Sequence, residues 1–209
     1  MYVPPAFKTD EATALAFAAK RGFGTFIAVD QGQPVAAHLP FEVTTVDGVT
    51  RAIFHVARAN PLHQIIGRAP DVLLTVLGAD HYISPDWYVM EDQVPTWNYA
   101  SVHLSGTAKV VDAAGMLAFV DSLSAAFEAR LLPKKPWTSG KMTPAKREAM
   151  LRAIVGIEMT VTKVEASFKL GQHKQPADQA GVIANLEKLG TLPSQDYLEM
   201  WKAWRASKA

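Results

Sequence analysis

Apolar positions near the start of the chain recur at helical spacing. Ala12, Leu15, Ala16 and Ala19 follow Asp10, whose short carboxylate suits a helix cap, and Gly22 supplies a stop. The period then changes. Thr25–Val29, Val35–Leu39, Phe41–Val46 and Val49–Val56 are short runs rich in β-branched and aromatic residues, separated by Asp30–Gln33 and by the Asp47-Gly48 pair. That spacing predicts an antiparallel meander. Asn60-Pro61 places a capping side chain before a proline at the first helical position, and Gly67 ends the segment, which predicts a two-turn helix.

Strand character resumes in Val72–Leu77, His81–Ser84 and the long run Thr96–Val111, with Pro85–Pro95 as an irregular excursion carrying Trp87 and Tyr88. Met116, Phe119, Val120, Leu123 and Phe127 form a helical stripe that Asp112 is placed to cap. A loop rich in Pro and Lys follows, Thr143-Pro144 opens another helix, and Val155, Ile157, Met159 and Val161 alternate along a strand reaching toward Phe168. Two helical patterns, Ala177–Leu189 and Ser194–Ala206, close the chain. The pattern predicts a mainly β (α+β) single domain over residues 1–209, an antiparallel barrel with peripheral helices and a helical extension over about 176–209.

Composition narrows the chemistry. With 209 residues the chain is long enough to bury a core without staples, and its zero Cys excludes disulfides, Cys-ligated zinc, iron–sulfur clusters and thiol nucleophiles. A reducing cytoplasm fits. No apolar run reaches the ~18 residues of a membrane span, and the Ala12–Ala19 stretch follows Asp10 and Glu11 and no basic leader, against a signal peptide. We therefore expect a cytoplasmic protein with no membrane contact.

The net charge of +1 gives no global argument for nucleic acid. Locally, Arg130, Lys134, Lys135, Lys141, Lys146, Arg147 and Arg152 face only Glu148 in their segment. DNA is thus a candidate partner, although Pro133, Pro136 and Pro144 interrupt the segment and no helix-turn-helix spacing is present. The favoured alternatives are a solvated loop or a loop over an anionic ligand.

Neither a phosphate loop nor a Gly-x-Ser-x-Gly elbow occurs, and Gly22-Phe23-Gly24 follows a helix and precedes a strand, so it is a helix stop rather than a dinucleotide fingerprint. The six histidines show no metal-ligand spacing, and no metal is expected.

Three clusters carry candidate chemistry. Phe54-His55-Val56-Ala57-Arg58-Ala59-Asn60-Pro61 joins a strand to a helix N-terminus, where free N–H groups favour an anion; Arg58 adds a planar fork and His55 a donor. A surface arginine beside a helix cap is the alternative. In Thr96-Trp97-Asn98-Tyr99-Ala100-Ser101, alternation puts Thr96 and Asn98 on one face and Trp97 and Tyr99 on the other. Such mixed faces suit a ligand or an interface, and equally an aromatic core corner. Ser167–Lys174 ends a strand in a polar, partly basic loop, ordinarily a solvated one.

These blocks, with Met1-Tyr2-Val3-Pro4-Pro5-Ala6-Phe7, His38-Leu39-Pro40, Tyr82-Ile83-Ser84-Pro85, Phe168-Lys169-Leu170 and Ala180-Gly181-Val182-Ile183, closely resemble the PaiB family, in order and over almost the whole chain. The resemblance implies an FMN-binding split β-barrel related to pyridoxamine-phosphate oxidases, a homodimer with flavin at the subunit interface, and a role as negative transcriptional regulator or flavin-linked regulatory protein. It implies FMN contacts from His55, Arg58 and Asn60 to the phosphate, from Thr96, Trp97, Asn98 and Tyr99 to ribityl and ring, and from Lys169 and Gln172. The same barrel also serves flavin reductases and haem-degrading proteins. A flavin-dependent oxidoreductase, or a haem-binding or haem-degrading enzyme, is therefore the alternative. One departure stands out: the family's Lys-Leu-Ser-Gln-Asn reads Lys169-Leu170-Gly171-Gln172-His173 here.

Overall fold

In the computed structural model, which describes residues 1–111 and 115–208, the order along the chain is α1 (Glu11–Arg21), β1 (Phe23–Asp30), β2 (Gln33–Pro40), β3 (Glu42–Val46), β4 (Val49–Ala57), α2 (Leu62–Arg68), β5 (Asp71–Ile83), β6 (Thr96–Val110), α3 (Met116–Glu128), α4 (Pro144–Arg152), β7 (Ile154–Lys169), α5 (Pro176–Leu189) and α6 (Leu192–Ala206). The strands form one open sheet in the order β2-β1-β5-β6-β7-β4-β3, and the pairings β1–β2, β1–β5, β3–β4 and β4–β7 are antiparallel. This is the α+β split-barrel architecture expected of the sequence. Asp112, read as the cap of α3, lies outside the described residues.

The local signals act as the physics of caps and turns requires. The Thr13 N–H donates to Asp10 Oδ1 at 2.7 Å, and Gly22, at φ +59°, donates its N–H to the Ala18 carbonyl at 2.8 Å and closes α1. Asp47 and Gly48 both take positive φ, as the tight hairpin joining β3 and β4 demands, and Val46 pairs with Val49 across it. One expectation changes. The runs 72–77 and 81–84 are a single strand, β5, because ladder pairing overrides the poor strand propensity of Gly78 and Asp80.

Contacts divide the chain into two compact units, and β5, β6 and β7 each contribute residues to both. The larger unit comprises Leu15–Val76 and His103–Val164. Its core includes Phe26 against Phe54, ring centroids 4.6 Å apart, with Phe41, Leu74, Ile157 and Met159 fully enclosed. A side chain at Gly106 would meet the Thr160 carbonyl at 1.9 Å, so only glycine lets β6 approach β7 there.

The smaller unit comprises Met1–Ala14, Leu77–Val102 and Glu165–Ala209. Its core holds Ile83, Leu170, Leu186 and Tyr197. α6 clamps the end of β7: the Leu170 carbonyl accepts from the Trp201 indole at 3.2 Å and from the Tyr197 hydroxyl at 3.5 Å. Asp178, 1% exposed in the first turn of α5, accepts from the Val89 and Met90 N–H groups at 2.8 and 3.1 Å and fixes the 85–90 excursion. Among the described residues no helix is long and apolar enough to cross a membrane.

Candidate functional site

In the larger unit β4 ends at Ala57 and the chain turns into α2 through Arg58, Ala59, Asn60 and Pro61. The Asn60 side-chain oxygen accepts from the Leu62 N–H at 3.0 Å and turns the chain into α2, whose N-cap position falls at Pro61, one residue later than the pattern predicts. Arg58 is held on three sides. Its main-chain N–H donates to the Ala153 carbonyl at 2.8 Å, Nε to the Arg152 carbonyl at 2.6 Å and Nη2 to the Ile154 carbonyl at 3.0 Å.

A guanidinium carries five N–H donors. Two are engaged, so three have no partner among the described residues. The result is an exposed arginine whose direction is fixed before any ligand arrives. It lines a cleft of about 460 Å³ with apolar walls from Val111, Met116, Leu151 and Val155 and with Glu148 and Arg152 also on its lining. That volume is within the range of small-molecule sites.

His55 is half-buried on β4, and its Nδ1 is enclosed without a hydrogen-bond partner among the described residues. Burial lowers its pKa from the ordinary histidine value of 6.5, so the ring is a neutral imidazole at pH 7 and offers one N–H rather than two.

The remaining candidates lie in the smaller unit, and the structure separates their roles. Asn98 is 3% exposed and its amide donates to the Tyr197 hydroxyl at 2.9 Å, a packing function. The Gln172 amide bridges main chain, accepting from the Leu170 N–H at 2.8 Å and donating to the Ala6 carbonyl at 2.9 Å. Thr96 accepts a hydrogen bond from the Lys169 ammonium, and Tyr99 is half-buried. Trp97 is 55% exposed and meets Tyr82 edge to face, centroids 6.2 Å apart. The family departure at Gly171 has a local reason: its φ is +79°, the left-handed region that favours glycine.

Lys174, at the end of the strand-end block, was not among the predicted site residues. Its ammonium sits 4.5 Å over the Tyr88 ring and donates to the Gln93 side chain. Local spacing hides this, because Tyr88 and Gln93 are more than 80 positions away in sequence. Among the described residues no group of three or more His, Cys, Asp or Glu is placed to hold a metal.

The basic segment is largely engaged in its own neighbourhood. Arg130 donates to the Ala19 and Lys20 carbonyls at 2.9 and 2.8 Å and stacks on Phe127, Lys134 pairs with Glu128, and Arg152 lies 3.4 Å from Glu148. The Lys134 ammonium and the Trp137 N–H together hold the Glu128 carboxyl below its usual range.

Residues 1–163 match a family described as "Putative FMN-binding domain". The chain is 32% identical over 188 residues to the protease synthase and sporulation protein PAI 2 of Bacillus subtilis, covering 90% of this chain and 89% of that one. Among solved structures, a conserved hypothetical protein of Mycobacterium tuberculosis superposes with TM-score 0.57 at 15% identity, over 84% of this chain and 94% of that one. An FAD and heme binding protein of Mycobacterium smegmatis superposes with TM-score 0.52 at 18% identity, over 77% and 72%. At those identities the structural likeness speaks for the fold.

Proposed function

The chain belongs to the PaiB-like FMN-binding domain family, and from that premise we propose that it is a flavoprotein that uses FMN in a flavin-linked regulatory role. The observation that carries this is the turn after β4, where a pre-oriented Arg58 keeps three N–H donors available beside a cleft of about 460 Å³. Arg58 would hold the FMN phosphate through charge-assisted hydrogen bonds. Asn60 shapes the turn into α2 through its bond to the Leu62 N–H, and neutral His55 supplies a single donor without adding charge.

When bound, FMN supplies one- and two-electron transfer, which the side chains here do not provide by themselves. The four residues 96–99 divide: Asn98 packs the interior, Thr96 orients Lys169, and Trp97 is the ring left open to a ligand or a second copy of the chain. A homodimer is part of this reading.

The regulatory role would not run through direct DNA contact by residues 130–152. Arg130, Lys134 and Arg152 are held by neighbouring carbonyls and carboxylates, which supports a structural loop over a phosphate-binding surface. We expect only weak retention of promoter DNA at low salt. A tight, sequence-selective complex with a steep salt dependence, about 0.9 in log–log slope per phosphate, would reverse this ranking.

The central test is the absorption spectrum of protein purified without added cofactor, followed by fluorescence titration with FMN and riboflavin. Flavin bands and tighter binding of FMN are expected. One or two charge-assisted hydrogen bonds of about 1.5–3 kcal/mol each correspond to roughly 10-fold or more in affinity. Equal affinity for the two flavins removes the phosphate assignment. A Soret band without flavin bands favours the haem-binding alternative, to which the FAD and heme binding protein of similar fold lends support.

A further inference from the structure

The segment joining α3 to α4 in the larger unit carries apolar surface that the fold leaves uncovered. Leu131 is 54% exposed and Leu132 is 63% exposed, and every residue from Arg130 to Thr138 is exposed, Pro133, Pro136 and Trp137 among them. A single exposed leucine is ordinary. Two adjacent leucines with prolines and a tryptophan form a patch, and patches mark contact surfaces.

This loop is held in shape. The Glu128 carboxylate, at the end of α3, accepts from the Trp137 main-chain N–H at 2.8 Å and from the Lys134 ammonium, which ties the two ends of the loop together. The Lys134 N–H donates to the Leu131 carbonyl at 3.0 Å, so Leu132 and Pro133 are the central residues of a tight turn. The leucines therefore stand at a fixed tip, and their exposure is a property of the fold.

Cations surround that tip. Arg130 reaches back to the end of α1, where it donates to the Ala19 and Lys20 carbonyls at 2.9 and 2.8 Å and brings the loop beside Lys20, Arg21 and Phe23, all exposed. Over residues 19–23 and 127–142 there are six cations, Lys20, Arg21, Arg130, Lys134, Lys135 and Lys141, and one acid, Glu128. The next acid along α3, Asp121, accepts from the buried Ser139 hydroxyl at 3.1 Å. Lys134 is paired with Glu128, whereas Lys20 and Lys135 form no ion pair among the described residues. Arg130 and Lys141 donate to neutral carbonyls, which fixes them without cancelling their charge.

That combination selects among occupants. A second copy related by a two-fold axis would set this patch against itself, cations against cations. Duplex DNA offers phosphates but no apolar layer for the leucines, and Arg130 already spends donors on the end of α1. An anionic bilayer surface offers both partners. Its field acts on charge whether or not a donor is free, its acyl boundary takes leucine, and tryptophan favours the zone between.

We propose that the 130–137 loop, together with the end of α1, docks the protein on a membrane surface that carries anionic lipid. Leu131 and Leu132 enter the headgroup layer, and Lys20, Arg21, Lys135 and Lys141 meet the headgroups. No helix among the described residues is long and apolar enough to cross a membrane, so the contact is peripheral and reversible. It departs from the sequence expectation of no membrane contact, and it stands without the flavin reading.

The experiment co-sediments full-length protein, with and without FMN, with vesicles of phosphatidylcholine alone or of phosphatidylcholine mixed with phosphatidylserine, over a range of NaCl. Binding to the mixed vesicles that weakens as salt rises is expected. Leu131→Ser/Leu132→Ser should lower vesicle affinity about 10-fold or more by removing the inserted hydrocarbon. Lys135→Glu should lower it about 10-fold by reversing one charge near the surface. All three positions are exposed, so the melting temperatures should match that of the wild type. Vesicle binding in a protein that takes up no FMN supports the docking surface and removes the flavin reading. An unchanged affinity in the folded leucine variant, or no binding to the mixed vesicles at low salt, overturns the proposal. Salt-sensitive retention of duplex DNA without vesicle binding overturns it in favour of nucleic acid.

Discussion

Arg58 serves the fold and the proposed site at once, and its substitutions separate the two. Removing the side chain loses two hydrogen bonds to the Arg152 and Ile154 carbonyls, both at an exposed position. Arg58→Ala should therefore cost about 1–2 kcal/mol in a urea melt and, beyond that, bring FMN affinity down to that of riboflavin. Arg58→Lys keeps the charge but not the fork and should restore FMN preference only in part. Loss of stability with FMN preference intact would leave Arg58 a purely structural residue. His55 gives a second residue-level prediction. Its folded pKa lies below 6.5, so above that pH both states are neutral and the group contributes nothing. As pH falls below 6.5 the unfolded chain takes up a proton that the folded chain resists, so stability declines until pH reaches the folded value. Thermal unfolding between pH 7.5 and 5.5 should show that decline, with His173 adding to it in the same direction. His55→Gln should flatten the profile; an unchanged slope would assign it to other groups.

Elements defined by local rules were legible, and those defined by distant partners were not. Asp10, Gly22, the Asp47-Gly48 turn and the Asn60 turn bond each act over a few residues, which is why pattern alone places them to within a residue. The break expected within β5 failed because the strand, set between β1 and β6 in the sheet, runs unbroken through Gly78 and Asp80. Of the candidate site, the turn at Arg58 could be read from a strand running into a helix start. That Asn98 and Gln172 face inward could not, because Tyr197 and Ala6 are their partners. α5 shows the same limit. The block Ala180-Gly181-Val182-Ile183 stood out only by resemblance, and its physical reason is a close approach: a Cβ on Gly181 would meet the Trp87 carbonyl at 2.2 Å. Gly181→Ala should thus push α5 off the excursion that Asp178 caps, destabilising by about 1–3 kcal/mol despite the better helix propensity of alanine. Differential scanning calorimetry should show a loss of about 2–4 °C per kcal/mol. An unchanged or raised melting temperature would mean that the 85–90 segment yields freely.

At the scale of the whole molecule, the question is what covers the apolar surface left open on one chain. Trp87, Trp97 and Tyr99 are the aromatic side chains in question. In the structure two of the three are half-covered within their own unit, Trp87 beside the His81 ring at 6.3 Å and Tyr99 along β6. The surface still open carries Trp97, 55% exposed, its partner Tyr82 at 43%, and Val94 at 73%, all on β5, β6 or the segment entering β6. Large apolar side chains close together on a surface mark interaction sites more often than solvent-facing ones. A second copy related by a two-fold axis would bury both Trp97 rings, one in each equivalent patch. If the flavin site is completed in that pairing, FMN binds the dimer better than the monomer and shifts the equilibrium by mass action. Sedimentation across a dilution series should then show a dimer that dissociates at higher dilution when FMN is present than when it is absent. Trp97→Ser should weaken the dimer in both conditions without lowering the melting temperature of the monomer, since an exposed ring contributes little to its own chain. A monomer that binds FMN stoichiometrically, or a dimer constant indifferent to both FMN and Trp97→Ser, would place the flavin within one chain and leave the exposed aromatic pair without a role in self-association.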